Sequence, residues 1–121
     1  MQMQSPDVRD LATARHLLLC RRRDLRERLA QLESDKRRNS EPLSPDFAEQ
    51  ASERENDEVV DALHQRTQAE LQAVDAALGR IERGAYGRCT QCGEPIESPR
   101  LTAVPHASRC GRCAEIGASR G

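Results

Sequence analysis

Aromatic side chains are almost missing from this chain: 121 residues include no Trp, one Tyr and one Phe. With 36% hydrophobic and 32% charged residues there is little material for a thick core. One ordinary domain is the upper bound, and its stability must come from long helices packed on one another or from a bound metal. Long apolar runs are missing too. Leu17-Leu18-Leu19-Cys20 is far too short to cross a bilayer, so no membrane association is expected. No signal peptide is recognisable, which predicts a soluble, cytoplasmic protein. Nor is there an excess of charge of one sign, the formal net charge being -1. That balance argues against autonomous sequence-specific DNA or RNA binding, although the charge is segregated. Residues 9–38 hold ten Arg or Lys against five acids, and residues 41–61 hold eight acids against Arg54 alone. One end of the molecule is therefore expected to be acidic.

What the chain does have is cysteine in a pattern. Cys89 and Cys92 form one Cys-x-x-Cys pair, and Cys110 and Cys113 form a second after seventeen intervening residues. Each such pair closes a tight turn that aims two sulfurs at one point, and a loop of this length can bring the pairs face to face. The spacing is that of a four-thiolate zinc site. Two disulfides or four buried thiols are the other readings, and a reducing compartment favours the metal. A site of four protein thiolates is closed, so a single structural Zn²⁺ is expected rather than a catalytic one. It would carry about two units of negative charge, which Arg88, Arg109 and Arg112 beside the ligands could offset. Gly93, directly after the first pair, suits a turn that needs positive φ.

The rest of the chain reads as helix. Met1 to Ser5 is expected to be a flexible end, with a helix start at Ser5-Pro6-Asp7: a cap, a proline at the first helical position and an acid at the positive end of the dipole. Val8, Leu11, Arg15, Leu18, Arg22, Leu25, Leu29 and Leu32 follow at spacings of three and four, a heptad seam. Asn39, Ser40 and Pro42 have turn composition, and Ser44-Pro45-Asp46 repeats the helix start. A second helix then runs to Gly84 with Val60, Leu63, Thr67, Leu71, Val74, Leu78 and Ile81 on its seam. The prediction is an all-α chain: a long antiparallel hairpin (coiled coil) over 6–83 with its tip at about 39–50, then a small four-cysteine zinc-finger head and short C-terminal helix over 84–121. Cys20 is expected to be a small packed residue beside the seam, and His16 and His64 surface or seam residues. His106 lies in the finger loop, where it could replace a ligand.

The run Gly84-Ala85-Tyr86-Gly87-Arg88-Cys89, with Cys92-Gly93, Pro95-Ile96, Arg100-Leu101, Ala103, Pro105, Cys110 and Cys113, resembles the zinc finger of the DksA/TraR family. A weaker resemblance lies in Pro45-Asp46-Phe47-Ala48-Glu49-Gln50-Ala51, similar to that family's acidic tip motif Asp-x-x-Asp-x-Ala. The resemblance implies a monomeric regulator without chemistry of its own. It would enter the secondary channel of RNA polymerase and bring Asp46, Glu49 and Ala51 near the active centre, modulating initiation without binding promoter DNA itself. Glu49 stands where the pattern has Asp, one methylene further out, so polymerase binding with weak or no regulatory effect is one alternative. Arg66 matches a position associated with the alarmone guanosine tetraphosphate, but Ala73 and Ala114 stand where lysines would be, which counts against alarmone dependence. Acids at the first turn of a helix also stabilise its dipole whatever the function. Two further classes remain: an acidic-tip factor that makes polymerase cleave its transcript by holding a second metal, and a zinc-thiolate redox sensor.

Overall fold

The computed structural model describes residues 10–39 and 47–120. The expected helix starts at Ser5-Pro6-Asp7 and Ser44-Pro45-Asp46, and the turn around Pro42, lie outside the described residues. The chain is all-α: α1 (Leu11–Asn39) and α2 (Phe47–Glu82) form a long helical hairpin, followed by the short α3 (Ser98–Ala103) and α4 (Gly111–Arg120) of the cysteine region. Among the described residues, extended pairing is limited to one antiparallel bridge between Arg88 and Pro95.

The ends of the long helices are set locally. Asp10 precedes α1, its carbonyl accepting the Ala14 N–H at 2.9 Å and its carboxylate accepting the Thr13 hydroxyl at 3.0 Å. An acid in that position also meets the positive end of the helix dipole. At the other extreme, the Gly84 N–H donates to the Ile81 carbonyl at 3.1 Å and the Ala85 N–H to the Arg80 carbonyl at 2.8 Å. Gly84 has φ +74°, so this is a left-handed closure that uses the last orphan carbonyls of α2.

Two compact units divide the chain, one being Arg23–Leu71 and the other the chain up to Arg22 together with Gln72–Gly121. In the first, Leu25 and Leu32 of α1 and Val60 and Thr67 of α2 are buried. Lys36 Nζ lies 3.0 Å from an Asp61 oxygen, and His64 Nε2 lies 3.4 Å from Glu33. Three residues forward on α1 thus meet three residues back on α2, which makes the pair antiparallel. Such exposed ion pairs contribute at most about 1 kcal/mol each and act on register more than on stability. In the second unit, Ala14, Leu18, Val74 and Ala77 are buried, and Arg22 reaches Asp75 across 3.7 Å.

The seam differs from the sequence expectation on both helices. Leu11 is 47% exposed and Arg15 is exposed, while Ala14 is fully buried. On α2, Leu63 is 42% exposed, and His64 turns inward instead, its side chain 16% exposed. The physical reason lies in the repeat: Val60, His64, Thr67, Leu71, Val74, Leu78 and Ile81 alternate by four and three without a break, and Leu63 stands about 100° round the helix from His64. Truncating Leu25 to Ala should therefore cost about 2–5 kcal/mol, and truncating Leu63 to Ala less than about 0.5 kcal/mol. Urea unfolding of the two variants measures this, and equal losses would contradict the observed facing.

Candidate metal centre

Each cysteine pair is shaped by its own backbone. In the first, the Cys89 N–H donates to the Glu94 carbonyl at 2.8 Å and the Gly93 N–H to the Cys89 carbonyl at 2.9 Å, which folds the chain back within six residues. Gly93 has φ +79°, a conformation that a side chain would strain. In the second pair, Cys110 accepts the first helical bond of α4 from the Ala114 N–H at 2.9 Å, and Cys113 follows in the first turn. A small core of Ile96, Leu101 and Ala107 with three of the cysteines sits behind them, with Tyr86 and Val104 packed against it.

The segment over 105–109 has no regular structure, so its carbonyls need other donors. Tyr86 Oη donates to the Pro105 carbonyl at 2.8 Å and Arg80 Nη2 to Ala107 at 3.4 Å. The Thr90 N–H and hydroxyl both donate to Ser108, at 2.8 and 3.0 Å, and Arg100 Nε donates to Arg109 at 2.8 Å. Thr90 lies in the first cysteine turn and Ser108 just before the second, so this double bond ties the two turns together. Sequence reasoning does not single out Arg80 or Thr90, and it names Arg100 only within the family resemblance, because a side chain that reaches a distant carbonyl leaves no spacing pattern. Arg80 is only 7% exposed, and its Nε has no hydrogen-bond partner among the described residues. Burial, and then the neighbouring Arg83, lower its pKa from the ordinary arginine value.

Cys89, Cys92, Cys110 and Cys113 are brought together, each offering a sulfur within 4.8 Å of the other three. Cys92 Sγ and Cys110 Sγ are 3.8 Å apart. A disulfide needs about 2.05 Å. A tetrahedral metal with bonds of about 2.3 Å to sulfur places its ligands about 3.8 Å from one another. The donor set therefore fits a tetrahedral, thiophilic divalent ion, and three of the four cysteines are buried. Charge gives the same answer. Burial raises the Cys89 thiol, but backbone hydrogen bonds from Cys110, Cys92 and Gln91 outweigh it and bring the group down to about 6. The Glu94 backbone and, less strongly, the Cys113 sulfur lower Cys92, but the Cys89 sulfur, burial and the Cys110 sulfur outweigh them, for a net upward shift. Cys113 is pushed up to about 12 by the Cys110 and Cys89 sulfurs and by burial. Thiols this close resist ionising together unless a cation is among them.

The other residues named from the sequence are distributed as follows. Arg88 Nη1 donates to the Gly93 carbonyl at 3.3 Å, Arg109 is exposed, and Arg112 lines a recess beside Cys92 and Cys110. His106 is half-buried and is not among the four grouped ligands. On α1, Cys20 Sγ is 3.7 Å from His16 Nε2, one turn away. Asp46 lies outside the described residues. Glu49 and Ala51 lie on the backbone of α2, in a stretch whose side chains are outside them as well.

A helical hairpin that leads into two facing Cys-x-x-Cys turns defines a class, the prokaryotic finger proteins of C4 type. The DnaK suppressor protein-like N-terminal domain matches residues 14–81, and the prokaryotic dksA/traR C4-type zinc finger matches residues 84–116. The chain belongs to the DksA/TraR family. An RNA polymerase-binding transcription factor DksA from Caulobacter vibrioides is 34% identical over 87 residues, 71% of this chain and 57% of its own length. An Aquifex aeolicus protein of unassigned function is 46% identical over 59 residues, 49% of this chain and 41% of its own. The chain thus spans between two fifths and three fifths of the length of these curated relatives. Among solved structures, the solution structure of DnaK suppressor protein from Agrobacterium tumefaciens is 40% identical, with 96% of this chain and 99% of that one covered and a TM-score of 0.61. Transcription factor DksA2 from Pseudomonas aeruginosa is 34% identical, with 88% and 81% covered and a TM-score of 0.75. No described helix is long and apolar enough to cross a membrane.

The thiol environments set the sign of a pH dependence. The Cys113 thiol holds its proton at every pH below about 12, so binding a metal must expel that proton throughout the neutral range. Below about 6 the Cys89 thiol is protonated as well, adding a further proton to be displaced. Metal affinity is therefore expected to fall as pH falls, and more steeply below about 6. Competition with a chromophoric chelator between pH 5 and 8 measures it, and an affinity independent of pH would contradict the four-thiol assignment.

Proposed function

We propose that this chain is a DksA-like regulator of transcription that binds RNA polymerase through the secondary channel. One structural zinc is held by Cys89, Cys92, Cys110 and Cys113, and Asp46, Glu49 and Ala51 are carried at the turn of the hairpin towards the polymerase active centre. The observation that carries the reading is the span of the family matches, which cover both the hairpin and the finger, residues 14–81 and 84–116. The Caulobacter relative supports the choice of partner, being an RNA polymerase-binding factor by name. Zinc suits the donor set because it is thiophilic, accepts tetrahedral sulfur ligands and undergoes no redox change in place. Bound there, it supplies no chemistry beyond cross-linking the finger.

The sequence supports the acidic turn as the effector. Residues 41–61 hold eight acids and one base, so a hairpin with this stretch at its turn delivers carboxylates into whatever encloses it. Hard cations take oxygen ligands, and charges count for more where water is scarce. Carboxylates beside a catalytic magnesium, or beside the basic residues that surround it, can therefore shift either. The regulator acts by occupancy and charge and forms no covalent intermediate.

Purified core polymerase, this protein and a known secondary-channel factor provide the test. Direct competition between the two is expected. Asp46→Asn should preserve that competition while changing any effect on promoter-complex lifetime, and a backtracked complex should show no accelerated transcript cleavage. Failure to displace the channel factor would remove the proposal, and cleavage lost in Asp46→Asn would make the chain a cleavage factor instead.

A further inference from the structure

Glu97 stands at the start of α3 and leaves its own helix uncapped. It is the N-cap residue of that helix, yet its side chain makes no capping bond there. Instead the carboxylate crosses fourteen positions of sequence to the first residue of α4, where the Gly111 N–H donates to Oε2 at 3.1 Å and to Oε1 at 3.4 Å. Gly111 lies inside the second cysteine pair. Its N–H is one of the orphan donors that open every helix, and no intrahelical carbonyl can reach it. An anion at this end also faces the positive pole of α4. Glycine at 111 belongs to the same arrangement, because a Cβ built there would lie 2.9 Å from Glu97 Oε2 and would push the carboxylate away. Glu97 further borders a recess of about 470 Å³ together with Cys92, Glu94, Pro95, Cys110 and Arg112, so the contact lies at the edge of the thiol cluster.

From these observations we propose that Glu97 and Gly111 act together as positioning residues of the metal centre. The Glu97 carboxylate fixes the first turn of α4 and thereby the directions in which Cys110 and Cys113 present their sulfurs. The inference rests on the reading of the four thiols as metal ligands. Partners just outside the ligand shell change metal affinity by about 10–100-fold when they are lost. Glu97 touches no ligand sulfur in this account and acts through the backbone of the helix that carries two of them.

The test uses the full chain loaded with zinc, with release to a chromophoric chelator followed in time, and the same proteins loaded with Co²⁺ for absorption spectra. Glu97→Ala and Gly111→Ala should each release zinc about 10-fold faster or more. The double variant should release no faster than the faster single one, since both remove one contact. Glu97→Gln keeps an acceptor oxygen and should stay near the parent in both rate and Co²⁺ bands, whereas the two alanine variants shift the bands. Far-UV circular dichroism of each variant identifies any loss of fold. Rates that multiply in the double variant, or Glu97→Gln as leaky as Glu97→Ala, would overturn the positioning role. Parent-like release from both alanine variants would overturn this inference alone, and a parent that takes up no metal would overturn the ligand reading along with it.

Discussion

Four sulfurs within 4.8 Å of one another form a cluster that cannot be fully ionised by itself, and the C-terminal part of the chain is built round that constraint. Despite burial, backbone hydrogen bonds draw the Cys89 thiol down to about 6, while the Cys110 and Cys89 sulfurs and burial push Cys113 up to about 12, a conflict that a divalent cation at their centre would remove. The surrounding fold is too thin to impose the arrangement unaided. Among its described residues the buried side chains beyond the cysteines are Ile96, Leu101 and Ala107, and its longest stretch of regular structure is the ten-residue α4. A core of that size buries too little apolar area to offset the conformational entropy of nearly forty residues. Cross-linking by a metal on the four thiols is a physical means by which such a segment can acquire one structure.

Polar side chains do the remaining work of shaping the finger. Tyr86, Arg80, Thr90 and Arg100 each donate to a carbonyl of the irregular segment over 105–109, and Glu97 accepts from the opening of α4. Every one of these bonds joins positions well apart in sequence. They therefore constrain the loops that carry the cysteines rather than any single helix. Arg80 has a particular place among them, since it belongs to the last turn of α2 and meets a finger carbonyl from there. With no partner for Nε among the described residues, its burial carries a desolvation cost that the hydrogen bond to Ala107 offsets only in part.

Much of this was legible in the residues themselves. The cysteine spacing, the glycine after the first pair and the glycine after α2 each carry a local geometric demand, and local demands survive in sequence. The family resemblance from Gly84 to Cys113 rested on the same kind of signal. Leu18, Leu25, Val60, Thr67 and Val74 are buried as the heptad spacing predicts, whereas Leu11 and Leu63 are exposed. There hydropathy misleads, because a small Ala14 and a polar His64 take the inward positions that larger apolar neighbours seemed to claim. Periodicity outranks side-chain polarity where two helices must keep one register. Glu97 was out of reach for a different reason: the sequence signature of a helix cap is local, and this carboxylate serves a helix fourteen residues away.

If the metal is what gives the finger its structure, amide hydrogen exchange with and without a chelator reports it most directly. The amides of Cys89, Thr90 and Ile96, bonded to the carbonyls of Glu94, Ser108 and Gly87, are the reporters. The account predicts that they lose protection when metal is withdrawn under reducing conditions, while the amides of Leu25, Leu32 and Val60 keep theirs. Protection at all six positions that is indifferent to the metal would contradict it.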